Sequence, residues 1–232
     1  MDYKRILLKV SGERLGGDVE GRILDVPSIE EIAQEIKDIR DQGVEVALTV
    51  GGGNILRGKQ AAAAGIEEVQ AHYMGMLATA FNALALQSAL EKIGVQTRVM
   101  TGIEMHNVAE PFIRRRAVRH MEKGRVVIFA AGGIPFITSD TAGALRAIEI
   151  GAEIYIKASK IDGIYTADPV KDKSAKHLPE ISYKDVLKED LQVMDGSAIA
   201  LCRDNKLPLL VCKVGEVMAA LAGKAKCTVV HE

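Results

Sequence analysis

Two lysines interrupt apolar runs in this chain. Lys9 stands near the end of Ile6-Leu7-Leu8-Lys9-Val10 and is followed by Ser11-Gly12. Lys157 ends Ile154-Tyr155-Ile156-Lys157 and leads into Ala158-Ser159. Each reads as a buried strand with one charge at its C-terminal end. Open α/β sheets bind ligands outside the carboxyl ends of their strands. A lysine there reaches phosphate oxygens as a flexible point charge. The competing reading is a lysine that snorkels at a strand end. Two such lysines on separate parallel strands would repel unless a polyanion or an acid lay between them.

Glycine-rich loops follow the same kind of strand. The run Val44–Val50 stops at Gly51-Gly52-Gly53-Asn54, with Arg57-Gly58 close behind. A loop without Cβ atoms lets an anion lie directly on backbone N–H groups. Neither a P-loop ending nor a Gly-x-Gly-x-x-Gly spacing is present. A third loop, Gly132-Gly133-Ile134-Pro135-Phe136-Ile137-Thr138-Ser139-Asp140, follows the strand ending at Ala130. One of Thr138, Ser139 and Asp140 is expected to cap the next helix. Asp140 is also placed to orient a lysine or to hold Mg²⁺ indirectly. After Lys157, the turn Asp162-Gly163 leads to Tyr165 and Asp168-Pro169, a loop suited to gripping a flat ring and a sugar. Lysines and glycine loops at one sheet edge suit phosphoryl transfer by positioning and charge neutralisation, without a covalent enzyme intermediate. The five histidines are scattered, and the three cysteines lack metal-ligand spacing.

The elements that must position these residues alternate along the chain. Strands are expected at Ile6–Val10, Val44–Val50, Val95–Thr101, Arg125–Ala130, Ile154–Lys157, Leu209–Cys212 and Cys227–Val230. Ile29, Ile32, Ala33, Ile36 and Ile39 mark one helix face entered through Pro27 and Ser28. Further helices are expected over Glu67–Ile93, Val108–Lys123 and Thr141–Ile150. This alternation predicts a mostly parallel sheet with helices on both faces. The Met- and Ala-rich Tyr73–Ala78 stretch reads either as core packing or as a surface against another subunit. Arg114, Arg115, Arg116, Arg119, His120 and Lys123 read as a solvated face neutralised by Glu104, Glu110 and Glu122.

With 232 residues, 48% of them hydrophobic, the chain can bury a large core. A net charge of −1 gives no electrostatic footprint for nucleic acid, and the absence of Trp argues against base-stacking platforms. The start of the chain runs straight into a strand, no apolar run is long enough to span a bilayer, and an odd cysteine count fits a reducing compartment. A cytoplasmic location is the expectation.

Lys9-Val10-Ser11-Gly12, Val50-Gly51-Gly52-Gly53-Asn54, Arg57-Gly58 and Lys157 through Pro169 resemble the amino-acid kinase superfamily. Tyr73-Met74-Gly75-Met76-Leu77-Ala78-Thr79, Ala109–Arg116, Met194-Asp195 and Cys202-Arg203-Asp204-Asn205 resemble its bacterial UMP kinase branch. The resemblance runs from about Tyr3 to Val211. It implies a three-layer α/β/α sandwich with a mostly parallel central sheet. It also implies a single domain, with an acceptor lobe over about 1–140 and an ATP lobe over about 141–232. Mg²⁺-ATP would be the donor, UMP the acceptor and UDP a product, in a homohexamer of dimers with GTP and UTP as effectors. Carried over by position, Lys9, Val10, Ser11, Gly12, Gly53 and Arg57 would hold the ATP phosphates. Ser159, Tyr165 and Asp168 would contact adenosine. Gly52, His72 and the loop Gly132, Gly133, Ile134, Pro135, Phe136, Ile137, Thr138 and Ser139 would contact UMP. Lys9 and Lys157 would neutralise the transferred group, with Asp140 and Asp195 orienting them.

Three positions depart from that pattern. His72 stands where the family has aspartate, Ala131–Phe136 falls within a loop one residue shorter than usual, and Ser159 replaces threonine. A neutral histidine donates or accepts a hydrogen bond, whereas a carboxylate only accepts. The alternatives are a kinase of this superfamily acting on another small acceptor, or a non-catalytic nucleotide-binding or storage paralogue. Retention of both lysines and both aspartates argues against the latter.

Overall fold

The computed structural model describes residues 3–17, 21–57, 61, 63–191 and 193–232. Gly58 of the sequence motif lies outside the described residues. The first half of the chain runs β1 (Arg5–Val10), α1 (Gly12–Leu15), α2 (Val26–Asp41), β2 (Glu45–Val50), α3 (Glu68–Lys92), β3 (Thr97–Thr101), β4 (Glu110–Pro111), α4 (Arg114–Glu122) and β5 (Val126–Ala130). It continues through α5 (Ser139–Ile150), β6 (Ile154–Ser159), β7 (Ile164–Tyr165), β8 (His177–Leu178), β9 (Glu180–Ser182), α6 (Tyr183–Lys188), α7 (Gly196–Asp204), β10 (Leu209–Lys213), α8 (Val217–Leu221) and β11 (Cys227–His231). One sheet takes the order β4-β3-β5-β2-β1-β6-β10-β11-β9, and β7 and β8 form a separate antiparallel pair. Within the large sheet only β10 and β11 pair antiparallel.

The sheet is apolar on both faces because helices cover both. Ile6, Leu8 and Val10 of β1 pack with Ile32, Ile36 and Ile39 of α2 and with Leu86 and Leu90 of α3. Leu7 points the other way, into a core with Ala144, Ala147 and Ile150 of α5 and Ile199 and Cys202 of α7. This two-residue alternation decides which face receives Lys9, namely the face of Leu7 and α5. The expected three-layer α/β/α architecture is therefore observed.

Local chemistry starts and stops these helices. Asp25 caps α2 by accepting from Ser28 N (3.1 Å). Thr138 caps α5 by accepting from Asp140 N (3.1 Å) and Thr141 N (3.3 Å). Gly151, at φ +68°, closes α5 in the left-handed region that glycine tolerates. The helix expected over Val108–Lys123 is shorter than that. Pro111 has no N–H and disfavours helical backbone at Glu110. The segment instead adds β4 to the sheet edge, paired with β3, and the helix begins at Arg114.

On α3, Met76, Ala80, Ala83, Leu86 and Leu90 are buried, while Tyr73, Met74, Leu77 and Phe81 are exposed. The core reading is thus borne out on one face of the helix, and the other face carries an apolar outer stripe at three- and four-residue spacing. In the arginine-rich region Glu110 gathers Arg98 (3.6 Å), Arg116 (3.7 Å) and His120 (3.2 Å), and Glu122 takes Arg119 (3.1 Å). Glu104 pairs with His106 (3.4 Å) instead. No helix among the described residues is long and apolar enough to cross a membrane.

Candidate active site

β1 lies between β2 and β6, where the strand order switches direction. Such switch points open a crevice beyond the strand ends. Lys9 and Lys157 are direct register partners across β1 and β6. Parallel neighbours in register put their side chains on the same face, so two ammonium groups sit side by side. Asp140, in the first turn of α5, lies between them. Its Oδ1 is 2.6 Å from Lys9 Nζ and its Oδ2 is 2.8 Å from Lys157 Nζ. All three side chains are largely buried. Burial would raise the Asp140 carboxyl, but the charges of Lys9 and Lys157 hold it below the ordinary carboxylate range. Burial pulls the Lys157 ammonium below the ordinary lysine range, and Asp140 opposes that pull. The acid that two neighbouring lysines require is therefore inside the protein.

Asp195 reaches the same corner by another route. It caps α7 by accepting from Ala198 N (3.1 Å), and it accepts from the hydroxyls of Thr138 and Thr141 on α5. Lys157 also donates to Val193 O, two residues before Asp195. Asp140 thus touches both lysines directly. Asp195 instead ties the N-termini of α5 and α7 together around them.

The glycine loops interlock at the ends of β1 and β2. A Cβ on Gly12 would stand 2.5 Å from Gly51 O, and one on Gly52 would stand 2.9 Å from the Cβ of Ala78 and 3.0 Å from Gly75 O. The close backbone approach, rather than turn geometry, demands glycine there. Buried Asn82 of α3 pins this loop. It donates to Gly51 O (2.7 Å) and Asn54 Oδ1 (2.7 Å), and Asn54 donates back to Asn82 Oδ1 (3.0 Å). Thr79, one turn earlier, accepts from Ala131 N (2.8 Å) and so joins α3 to the third glycine loop. Arg57 leans across both loops, 3.0 Å from Glu13 Oε1. Gly51 N donates to Val10 O (3.0 Å), and Ser11 O receives Arg14 N (3.1 Å), which fixes the turn after Lys9.

A cavity of about 660 Å³ opens beside these loops. Gly52, Gly53, His72, Gly132, Ile137, Thr138 and Ser139 line it, together with Gly75, Met76, Thr79 and Arg146. Gly133, Ile134, Pro135 and Phe136 do not line it. Phe136 instead stands over its rim, with its ring 4.6 Å from that of His72. The shortened loop is conformationally tight. Ala131, Gly133 and Phe136 have φ of +46°, +91° and +66°, and the two non-glycine residues there carry backbone strain. Ile134 and Phe136 are exposed apolar side chains at this rim.

The loop after β6 forms a further patch. Ser159 Oγ donates to Ile161 O (2.8 Å) and accepts from Ile161 N (3.0 Å), which fixes the turn. Tyr165 donates to Asp162 Oδ1 (2.7 Å). Asp168 accepts from Val170 N (3.0 Å) and lies 3.6 Å from Lys171. Among the described residues no three His, Cys, Asp or Glu side chains converge as a metal cage. Both Asp140 oxygens are taken by lysine, and both Asp195 oxygens by α5 and α7. The donor set on offer is ammonium, guanidinium and backbone N–H, and it suits phosphate.

Asn82, Thr79 and Thr141 were not among the residues expected from sequence. Asn82 had a visible signal, as the single asparagine inside an Ala- and Leu-rich helix. Thr79 had one only as the end of the Tyr73–Thr79 motif, and Thr141 had none, because a threonine on a helix more often bonds its own backbone.

Comparison with known proteins places this geometry. Residues 4–213 match the amino acid kinase family. A UMP kinase from Bacillus anthracis is 40% identical, with 99% of this chain and 96% of that one covered and a TM-score of 0.94. A UMP kinase from Ureaplasma parvum is 33% identical over the whole of both chains, also with a TM-score of 0.94. A uridylate kinase from Archaeoglobus fulgidus is 28% identical, with 97% of this chain and 99% of that one covered and a TM-score of 0.76.

Proposed function

The chain belongs to the amino acid kinase family, and on that basis we propose that it transfers the terminal phosphoryl group of ATP to UMP, giving UDP and ADP. The observation that carries this is the register pair Lys9–Lys157 around Asp140 at the switch point of the sheet. Two UMP kinases at TM-scores of 0.94 support the acceptor.

In this reading the two ammonium groups face the transferred phosphoryl group. Positive charge there stabilises the charge on its equatorial oxygens in the transition state. Asp140 holds both lysines at the spacing that a phosphate bridges. Asp195 acts one step back, through Thr138 and Thr141. Lys9, Val10, Ser11, Gly12, Gly53 and Arg57 receive the donor phosphates, and Ser159, Tyr165 and Asp168 the adenosine. Gly52, His72, and Gly132 through Ser139 receive UMP, with the cavity beside Gly52 as its pocket. A divalent cation would be carried on the ATP phosphates held by Lys9 through Gly12, Gly53 and Arg57, and would neutralise charge there. The chain supplies no step through it.

The acceptor lobe, about 1–140, and the ATP lobe, about 141–232, meet along β1 and β6. The apolar stripe Tyr73, Met74, Leu77 and Phe81 supports a dimer through α3. Assembly of such dimers into a hexamer, with GTP and UTP as effectors, belongs to the same proposal through the family resemblance. So does a cytoplasmic setting, which the free thiols of Cys202, Cys212 and Cys227 support.

The test is a coupled assay with ATP, Mg²⁺ and a panel of nucleoside monophosphates. UDP formation with UMP, well above any other acceptor, is the expected result. Turnover of another acceptor with none of UMP would overturn the proposal.

A further inference from the structure

A second charged cluster lies at the ligand edge of the sheet. β11 runs antiparallel to β10, so it begins at the edge where β1, β6 and β10 end. Lys226, immediately before β11, therefore reaches the loop that follows β6. Its Nζ donates to Tyr165 Oη (2.7 Å) and lies 3.5 Å from Asp162 Oδ2. Tyr165 Oη donates in turn to Asp162 Oδ1 (2.7 Å), and the three side chains close a ring of polar contacts. The Lys226 nitrogen is 4.9 Å from the Tyr165 ring centroid, and His177 meets that ring edge to face at 5.3 Å. Thr228 of β11 anchors the same segment by accepting from Ile164 N (2.7 Å).

The Tyr165 hydroxyl is committed, donating once and accepting once. What it still offers a ligand is a ring face. Lys226 comes from 61 residues further along the chain than Tyr165, so the contact ties the loop to the sheet edge rather than to itself. Burial raises the Asp162 carboxyl, while the Tyr165 hydroxyl and the Lys226 charge more than offset it.

The geometry points to Lys226 as a positioning residue of the nucleotide site, holding Tyr165 and Asp162 in the orientation that receives the base of the nucleoside triphosphate. This rests on the reading of Tyr165 as an adenosine contact made above. Lys226 touches no phosphate and takes no part in the transfer. It sets the donor affinity and leaves the acceptor pocket alone.

The test compares the wild-type chain with Lys226→Met and Lys226→Arg, measuring KM for Mg²⁺-ATP, KM for UMP and kcat, with ATP binding by calorimetry in parallel. Loss of one half-exposed charged contact gives Lys226→Met a KM for ATP about three- to tenfold higher. Its kcat and KM for UMP stay within about twofold. Lys226→Arg, which keeps the charge and the donors, restores most of the ATP affinity. An unchanged KM for ATP, a parallel rise in KM for UMP, or an arginine variant as impaired as the methionine one would each overturn the assignment. A wild-type chain that neither binds ATP nor turns it over would overturn the kinase reading as well. The two failures are therefore distinguishable.

Discussion

Asp140→Asn removes the carboxylate that, among the described residues, bridges Lys9 and Lys157, whose nitrogens lie 2.6 and 2.8 Å from it. Two unit charges about 4 Å apart interact by about 4 kcal/mol at an effective dielectric near 20. The variant loses two such attractions and leaves two ammonium groups facing each other. One of them then sheds its proton. Holding an ordinary lysine neutral at pH 7 costs at most about 4.6 kcal/mol, and burial has already moved Lys157 in that direction. The variant also escapes the desolvation of the carboxylate, which is the largest single influence on Asp140. The net expectation is a loss of about 2–3 kcal/mol, just under the usual cost of about 3–5 kcal/mol for breaking a buried pair. For a chain of this length that lowers Tm by roughly 5–10 °C.

The pH and ligand dependence identify the cause. Asp140 is held below the ordinary carboxylate range in the folded state. Its contribution to stability is present above the unfolded value of about 3.9 and is lost as pH falls through the folded value. The Tm gap between wild type and variant is therefore full near neutrality and closes below about pH 4. Saturating Mg²⁺-ATP also narrows it at pH 7, because the triphosphate supplies the missing anion. Thermal unfolding from pH 3 to 7, with and without Mg²⁺-ATP, measures both effects. Equal Tm at pH 7, or a gap that persists unchanged into acid, would refute the bridging role.

Lys9→Ala and Lys157→Ala should each lower kcat by roughly 10²–10³, the cost of one lost electrostatic donor; steady-state kinetics that show only a raised KM for ATP would mean uniform binding instead. His72→Asp should change KM for UMP more than kcat, and superimposable kinetics would remove His72 from the acceptor pocket. Leu77→Glu on the exposed stripe of α3 should shift sedimentation toward the monomer. A wild-type chain already monomeric at micromolar concentration would refute the dimer face.

The sequence makes some of these features visible and hides others for physical reasons. A charge inside an apolar strand is conspicuous, so Lys9 and Lys157 stand out. Their register is not, because it depends on β1 lying between β2 and β6, and no local pattern encodes strand order. The long helix α3 is clear from its composition and length. The segment from Val108 misleads because its charges and Ala117 mimic a helix face, while Pro111 quietly forces an edge strand. Elements such as β7, β8 and α8 are two to five residues long, too short for a period to register. Asp195 is legible as a motif residue. Its bonds to Thr138 and Thr141 arise from packing between α5 and α7, which a one-dimensional reading does not contain.

The arrangement also explains how such a site tolerates its own charge. Side-by-side lysines cost stability in any sheet. Placing one carboxylate between them offsets that cost and fixes their spacing at the same time. On the proposed function, an incoming phosphate meets cations already positioned and partly freed of solvent, so little reorganisation is left for the reactive step. Asp140 must then share its lysines rather than release them, since its own backbone is fixed in α5 by the Thr138 cap. Thr138 carries that cap on one side and donates to Asp195 on the other. Thr138, one of the residues lining the cavity beside Gly52, thus also helps to hold Asp140 in place. On the proposed function, filling that cavity bears on the geometry of the lysine pair through Thr138.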